Sequence, residues 1–238
     1  MSATLLTQHT GDEPPTGGGV PHRRLVIVSA AVVVAGLFAV WLVAFSSVFG
    51  VRTIKVSGEH VLSAATIARA ADIAHGTPLA RLDTTAAEDR IDALPGVASA
   101  RVSTSFPSTV TITVVERVPL GVVKVAAGYV LVDKTGAQYR TVATRPAGLP
   151  LFVVPPGTKT TGGAVSTVAA ALGAALRAKI ASIQALDPKA ITLLMSNGTV
   201  VAWGSPDQNS LKARLLPTLL AHGAHQVDVS DPAQPFTR

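Results

Sequence analysis

Apolar and polar residues fall along this chain in three rhythms. The first is unbroken. Residues 25–51, LVIVSAAVVVAGLFAVWLVAFSSVFGV, are 27 consecutive positions without a charged side chain. A helix rises about 1.5 Å per residue, so roughly 20 such residues cross the ~30 Å hydrocarbon core of a bilayer. A strand is far shorter, and a water-facing helix needs a polar side that this run lacks. The run therefore predicts a transmembrane helix over 25–50. Trp41 sits inside it, and Phe45 and Phe49 lie toward the end where aromatic rings settle at an interface. A secretory signal has a shorter apolar core of about 7–15 residues, although Ala44-Phe45-Ser46-Ser47 has a loosely cleavage-like form. Lys and Arg flank the run two against two, Arg23 and Arg24 before it and Arg52 and Lys55 after it. A short polar tail before and a large domain after it fit a signal anchor with a cytoplasmic N-terminus. Residues 1–24 are rich in Gly, Pro and Thr, lack periodicity and predict a disordered tail.

The second rhythm alternates and the third is helical. Residues 51–56 read as a half-buried strand. Ser63 is an N-cap for a helix to about Ala74, with Ile67, Ala70 and Ile73 on its apolar face. Thr85-x-x-Glu88 has the capping-box pattern and opens a second helix that buries Ala87, Ile91 and Leu94. Ala98, Ala100 and Val102, then Val110, Ile112 and Val114, alternate with polar residues across the turn at Phe106-Pro107-Ser108. The order over 51–118 is β-α-α-β-β.

From 119 to 238 the pattern predicts a second α+β domain. Residues 120–125 and 129–132 form a strand pair, and Asp133-Lys134-Thr135-Gly136 is a turn by composition. Prolines and glycines make 150–163 loop-rich. Val165, Val168, Leu172 and Leu176 mark one face of a helix beginning near Ala164. Residues 191–195 and 199–203 flank Asn197-Gly198, a strong hairpin signal. Leu211, Leu215 and Leu219 mark a helix from about 207 to 221 that contains Pro217, and 226–229 form a short final strand.

Composition changes this picture little. Residues 52–238 carry 18 Lys/Arg against 12 Asp/Glu, a net of +6, which suits acidic partners, anionic lipid or nucleic acid. The basic residues are scattered singly, with no interleaved aromatics, which argues against nucleic acid. The absence of cysteine excludes disulfides and thiolate chemistry.

The search for chemistry yields no enzyme and no cofactor site. His222-x-x-His225 has Gly223 inside it and reads as a helix terminus rather than a metal site. Gly157-Thr158-Lys159-Thr160 lacks the spacing of a phosphate loop. Asp83, Glu88, Asp89 and Asp92 read as a solvated helical face rather than an acid–base set. What remains is partner surface. A small sheet ending in a short strand leaves N–H and C=O groups to accept another chain, unless loops or residues 231–238 cover that edge.

The phrases IKVSG, GTPLARLD, LPGVASARVSTSFPSTVTITVVERVPLGVV, LVDKTGAQYR and QVDVSDPAQPFTR occur in that order. Together they resemble the FtsQ/DivIB family of bacterial division proteins, in its actinobacterial form. The β-α-α-β-β unit directly after a single span resembles a POTRA domain. The resemblance implies an inner-membrane protein with an extracytoplasmic POTRA domain and an FtsQ-type β-domain with packed helices. It also implies a non-enzymatic divisome scaffold that binds FtsB- or DivIC-like and FtsL-like proteins and helps control septal peptidoglycan synthesis by FtsW and its partner transpeptidase. In the family a partner segment adds to the last strand, which carries the expected contact to Gln226, Val227, Asp228, Val229, Ser230 and Asp231. A familiar Val-Asp-Leu-Arg form has a basic residue where this chain has Ser230, so an ion pair there is not expected. Val227 or Val229 would fill a pocket between the chains. Rival readings are a POTRA-bearing chaperone or assembly factor, a cytoplasm-facing basic nucleic-acid binder, and a cell-wall enzyme.

Overall fold

The computed structural model describes residues 22–45, 49–221 and 223–237. The tail expected over 1–24 lies outside them up to residue 21, as do His222 and residues 46–48 of the cleavage-like stretch and the expected span. The apolar run forms α1, His22–Phe45. Its described side chains, Val26 to Phe38 with Val40 and Trp41, are all exposed. Among the described residues no helix is long and apolar enough to cross a membrane.

Beyond α1 come β1 (Thr53–Ser57), α2 (Ala64–Ala71), α3 (Thr84–Asp92), β2 (Val97–Ser105) and β3 (Thr109–Glu116). They form a three-stranded sheet in the order β1-β3-β2, with β1 parallel and β2 antiparallel to β3. The two helices bury Ile67, Ala71, Ala87 and Ile91 against Val102, Val110, Ile112 and Val114. Ser63 caps α2 as its sequence predicts, accepting from the Thr66 N–H at 3.1 Å. The second cap differs. Asp83, not Thr85, caps α3 by accepting from the Ala86 N–H. Glu88 is thereby released from any capping box, and its carboxylate accepts the Val102 N–H at 2.7 Å, tying α3 to β2. The expected solvated acidic face is therefore partly structural. A register shift between Val97 and Ser99 breaks the alternation and leaves Ala98 exposed.

The second sheet has nine strands in the order β12-β11-β10-β9-β8-β7-β4-β5-β6. In chain order these are β4 (Gly121–Val125), β5 (Gly128–Val132), β6 (Gln138–Val142), β7 (Leu151–Val153), β8 (Ile180–Ala185), β9 (Ile191–Met195), β10 (Val200–Gly204), β11 (Gln226–Asp228) and β12 (Phe236–Thr237). Five adjacent pairs are antiparallel and join strands consecutive in the chain, while β4–β7, β7–β8 and β10–β11 run parallel. Three helices accompany it: α4 (Lys159–Ala171), α5 (Ala174–Arg177) and α6 (Asn209–Leu220). The predicted 165/168/172 stripe is buried, but the helix carrying it starts at Lys159 and stops before Gly173. Along α6 the buried positions are Lys212 and Leu216, whereas Leu211 of the predicted stripe is exposed.

The two sheets meet through residues just after β3. The Glu116 carboxylate accepts the N–H groups of His60, Val61 and Leu62 at 2.8–3.1 Å and fixes the β1–α2 connection. Arg117 donates to Asp133 at 2.6 Å, and the Tyr139 hydroxyl donates to the Arg117 carbonyl. Asp133 is buried and also accepts from the Thr135 N–H, the Thr135 hydroxyl and the Ala137 N–H. Burial alone would raise its pKa, but the Thr135 and Arg117 hydrogen bonds and two backbone donors hold it below the usual carboxylate value. A depressed carboxyl adds stability above the unfolded-state pKa and loses it as pH falls through the folded-state pKa. Asp133→Ala removes the acceptor of four hydrogen bonds and leaves Arg117 without its partner, at a cost of about 3 kcal/mol near neutral pH. Urea unfolding should show that gap, and it should narrow as pH falls through the folded-state pKa of Asp133.

Candidate functional site: the C-terminal edge of the large sheet

The family resemblance implies a partner contact at Gln226–Asp231, and the fold sorts these six residues by their alternation. Val200 pairs with Gln226, Val201 with Val227 and Ala202 with Asp228, all in parallel register. Val227 and Val229 are 2% and 0% exposed and belong to the protein's own core. The expected filling of an intermolecular pocket by these valines is therefore corrected: both are spent inside. Gln226, Ser230 and Asp231 are exposed, and Asp228 is half-buried.

Main-chain direction follows the same alternation. The His225 carbonyl accepts from the Val200 N–H, and the Val229 N–H donates to the Ala202 carbonyl at 2.9 Å. Odd-numbered residues here turn their peptide groups toward β10, so Gln226 and Asp228 turn theirs away from it. That outer side is not bare. The chain reverses through two aspartate turns: Asp228 Oδ1 accepts the Ser230 N–H at 2.8 Å, and Asp231 Oδ1 accepts the Ala233 N–H at 3.0 Å. It then returns as β12, antiparallel to β11, with Thr237 opposite Val227 and Phe236 opposite Asp228. Of the two arrangements the sequence allowed, the C-terminal residues cover β11. Because Asp228 faces outward and pairs with Phe236, the Phe236 peptide groups point inward to β11. Those of Thr237 point outward. The outermost strand of the sheet is therefore β12, a two-residue strand with both side chains exposed.

A buried polar cluster supports this edge from below. Trp203 on β10 is fully buried, and its indole N–H donates to Asn209 Oδ1 at 2.8 Å. Lys212 on α6 is 1% exposed. Its ammonium donates to the carbonyls of Trp203 and Ser205, each at 2.9 Å, and lies 6.0 Å from the Trp203 ring centre. Burial pushes the Lys212 pKa below the usual lysine value, and the carboxylates of Asp207, Asp228 and Asp231 oppose that shift. Beside it, a side chain at Gly204 would approach Ser230 Cβ to 2.8 Å, so the turn after β11 packs on a bare backbone. Local pattern does not single out Lys212, because a lysine on a helical face reads as solvent-facing.

Among the described residues no group of three or more His, Asp or Glu is placed to hold a metal. The Gly157–Lys159 stretch that superficially resembles a phosphate loop leads into α4 beside an open cleft of about 640 Å³, lined by Lys124 and Lys159.

A β-α-α-β-β unit joined through polar contacts to a larger mixed sheet is the plan of a POTRA-bearing protein. The family model for the FtsQ-type POTRA domain matches residues 49–117, and that for the C-terminal part of the cell division proteins FtsQ/DivIB matches 121–231. The chain is 33% identical over 216 residues to the cell division protein FtsQ of Mycobacteroides abscessus, covering 90% of this chain and 69% of that one. It is 32% identical to FtsQ of Mycobacterium tuberculosis over 237 residues, 98% of this chain and 75% of that one. FtsQ of Streptomyces bingchenggensis is 32% identical over 229 residues, 91% of this chain and 86% of that one. The chain belongs to the FtsQ/DivIB family of cell division proteins.

Val229→Pro would remove the donor to Ala202, a bond inside the sheet. It should therefore lower the stability of the domain itself by about 1–3 kcal/mol, the cost of an orphaned buried carbonyl. Ser230→Ala, at an exposed side chain, should leave it unchanged. Thermal unfolding of the two variants separates the internal from the outward face of this segment.

Proposed function

We propose that the chain is a non-enzymatic scaffold of the divisome, anchored by a single span over 25–50 with its N-terminus in the cytoplasm. Its folded parts, 51–118 and 119–238, then lie outside the membrane at the septum. It binds FtsB- or DivIC-like and FtsL-like membrane proteins and through them bears on septal peptidoglycan synthesis by FtsW and its transpeptidase. Family membership supports the division role. The unbroken apolar run supports the anchor, and α1, His22–Phe45, covers most of that run.

The observation that carries the binding mode is the edge at the C-terminal end of the nine-stranded sheet. A partner segment adds to it as a further strand, paired through main-chain groups with pockets between alternate side chains. The segment Gln226, Val227, Asp228, Val229, Ser230 and Asp231 serves as the inner strand and turn of that edge. Its exposed members Gln226, Ser230 and Asp231 flank the incoming chain, and β12 presents the first outward peptide groups. With the uncharged Ser230 there, main-chain pairing carries the contact rather than an ion pair.

Thr237→Pro removes an outward donor while leaving the Phe236–Asp228 pairing intact. It should reduce pull-down of the FtsB-like partner about tenfold, the factor that corresponds to ~1.4 kcal/mol. Undiminished capture by a normally folded variant would refute strand addition at β12. A reporter active only outside the cytoplasm, fused after residue 238, should be active; silence in an expressed fusion would refute the orientation.

A further inference from the structure

One end of the small sheet is built differently from the rest of its surface. The start of β1 and the β2–β3 turn lie side by side, because the N–H groups of Arg52 and Thr53 both donate to the Ser108 carbonyl, at 2.9 and 3.2 Å. At the tip of that turn Phe106 is 60% exposed. Its ring meets Phe49 edge-on at 6.0 Å between centres. Arg52 and Lys55 are exposed beside it. Leaving a large apolar ring in water at a hairpin tip costs free energy unless something covers it.

The chain is held tightly where it enters this domain, at Gly50 and Val51. Val51 donates to the Thr77 carbonyl and accepts from the Gly76 N–H, and Gly50 bridges to Pro78. A side chain at Gly50 would lie 2.7 Å from the Gly76 carbonyl oxygen, so the strand of chain entering the domain is pressed directly on its backbone. The 3-10 turn Leu79–Arg81 lies against α1. Phe49 follows the end of α1 by four residues, at most ~14 Å of chain. The headgroup region beyond the hydrocarbon core is about 5–8 Å deep on each side.

We propose that this end of the small sheet is a lipid-contact surface. Phe106 sits in the headgroup layer beside Phe49, and Arg52 and Lys55 face anionic phosphates. Aromatic rings favour that layer because their apolar body and polarisable face suit a half-wet medium. Each basic side chain near an anionic surface adds to the attraction. The surface acts to hold the domain at a fixed attitude on the bilayer, so that the large sheet presents its edges in a constant direction. The proposal rests on the membrane reading above and adds a contact to it.

The chain has no cysteine, so single labels report cleanly. Phe106→Cys, Val34→Cys in α1 and Leu186→Cys on an exposed turn of the large sheet would each carry a nitroxide. The full chain would be reconstituted in vesicles of phosphatidylethanolamine and phosphatidylglycerol at 3:1, about the anionic fraction that attracts basic segments. Accessibility to oxygen against a nickel chelate gives the depth of each label. The label at 106 should report headgroup depth, with an oxygen-to-nickel ratio several-fold above that at 186, while 34 reports hydrocarbon. A label at 106 as water-exposed as that at 186, with 34 still buried, overturns the lipid contact and leaves the anchor standing. A water-exposed label at 34 overturns the anchor, and the lipid contact with it.

Discussion

The large sheet closes at its C-terminal end over a lysine with no carboxylate for a direct partner. Lys212 gives its ammonium to two carbonyls on β10 and the turn beyond it, under the Trp203 ring. Taking a cation out of water is expensive, and the hydrogen bonds of two neutral carbonyls return only part of that cost. The arrangement is retained because it does three things at one point. It satisfies the carbonyls where β10 stops pairing, it locks α6 in register against β10, and with Asn209 it fixes the Trp203 ring. The parallel partner β11 is laid on that strand, and β12 on β11. Every residue of the outer edge therefore inherits its position from the depth of one ammonium group.

This also marks the boundary of what was legible in the sequence. Alternation located β2, β3, β4, β5, β9 and β10, and the Asn197-Gly198 turn fixed the β9–β10 hairpin. Those elements follow from local rules. β7 and β12 are too short to show a period, β6 is mostly exposed, and β8 is buried on both faces, so none of the four alternates clearly in sequence. The two-residue β12 carries no period at all, and β7 is three residues between proline-rich loops. Their strand character comes from the sheet they complete. The error on α6 has the same origin: the leucine spacing was real, but the buried face is set one position over by Lys212 and Leu216.

The candidate site shows a subtler limit. The six residues proposed from family likeness are where the edge is made, yet their roles divide by parity. Val227 and Val229 belong to the core, while the turn residues Asp228 and Asp231 use their carboxylates to steer the chain back. A period-2 strand tells which residues share a face but not which face is inside, and β11 is too short for its own sequence to decide. The parallel register to β10 decides it. Once that register is fixed, the direction of each peptide group follows, and the first unpaired donor moves outward from β11 to β12.

The proposed strand addition needs its receiving edge held in orientation, since main-chain pairing tolerates little rotation. Here the order passes through two short, polar joints. At the entry, Gly50 and Val51 are pressed onto Gly76–Pro78, so the chain is bound to the domain's backbone just before β1. At the exit, Glu116 clamps the loop at His60–Leu62 while its neighbour Arg117 grips Asp133 across the start of the large sheet. Consecutive residues thus face opposite sheets, and each makes a charge-assisted bond that loses strength if either sheet turns away. Stiffness in this protein resides less in the size of either core than in these few bonds at the ends of β3 and β1. Under the proposed binding mode, these bonds are what would hold the two-residue edge at β12 in a constant orientation.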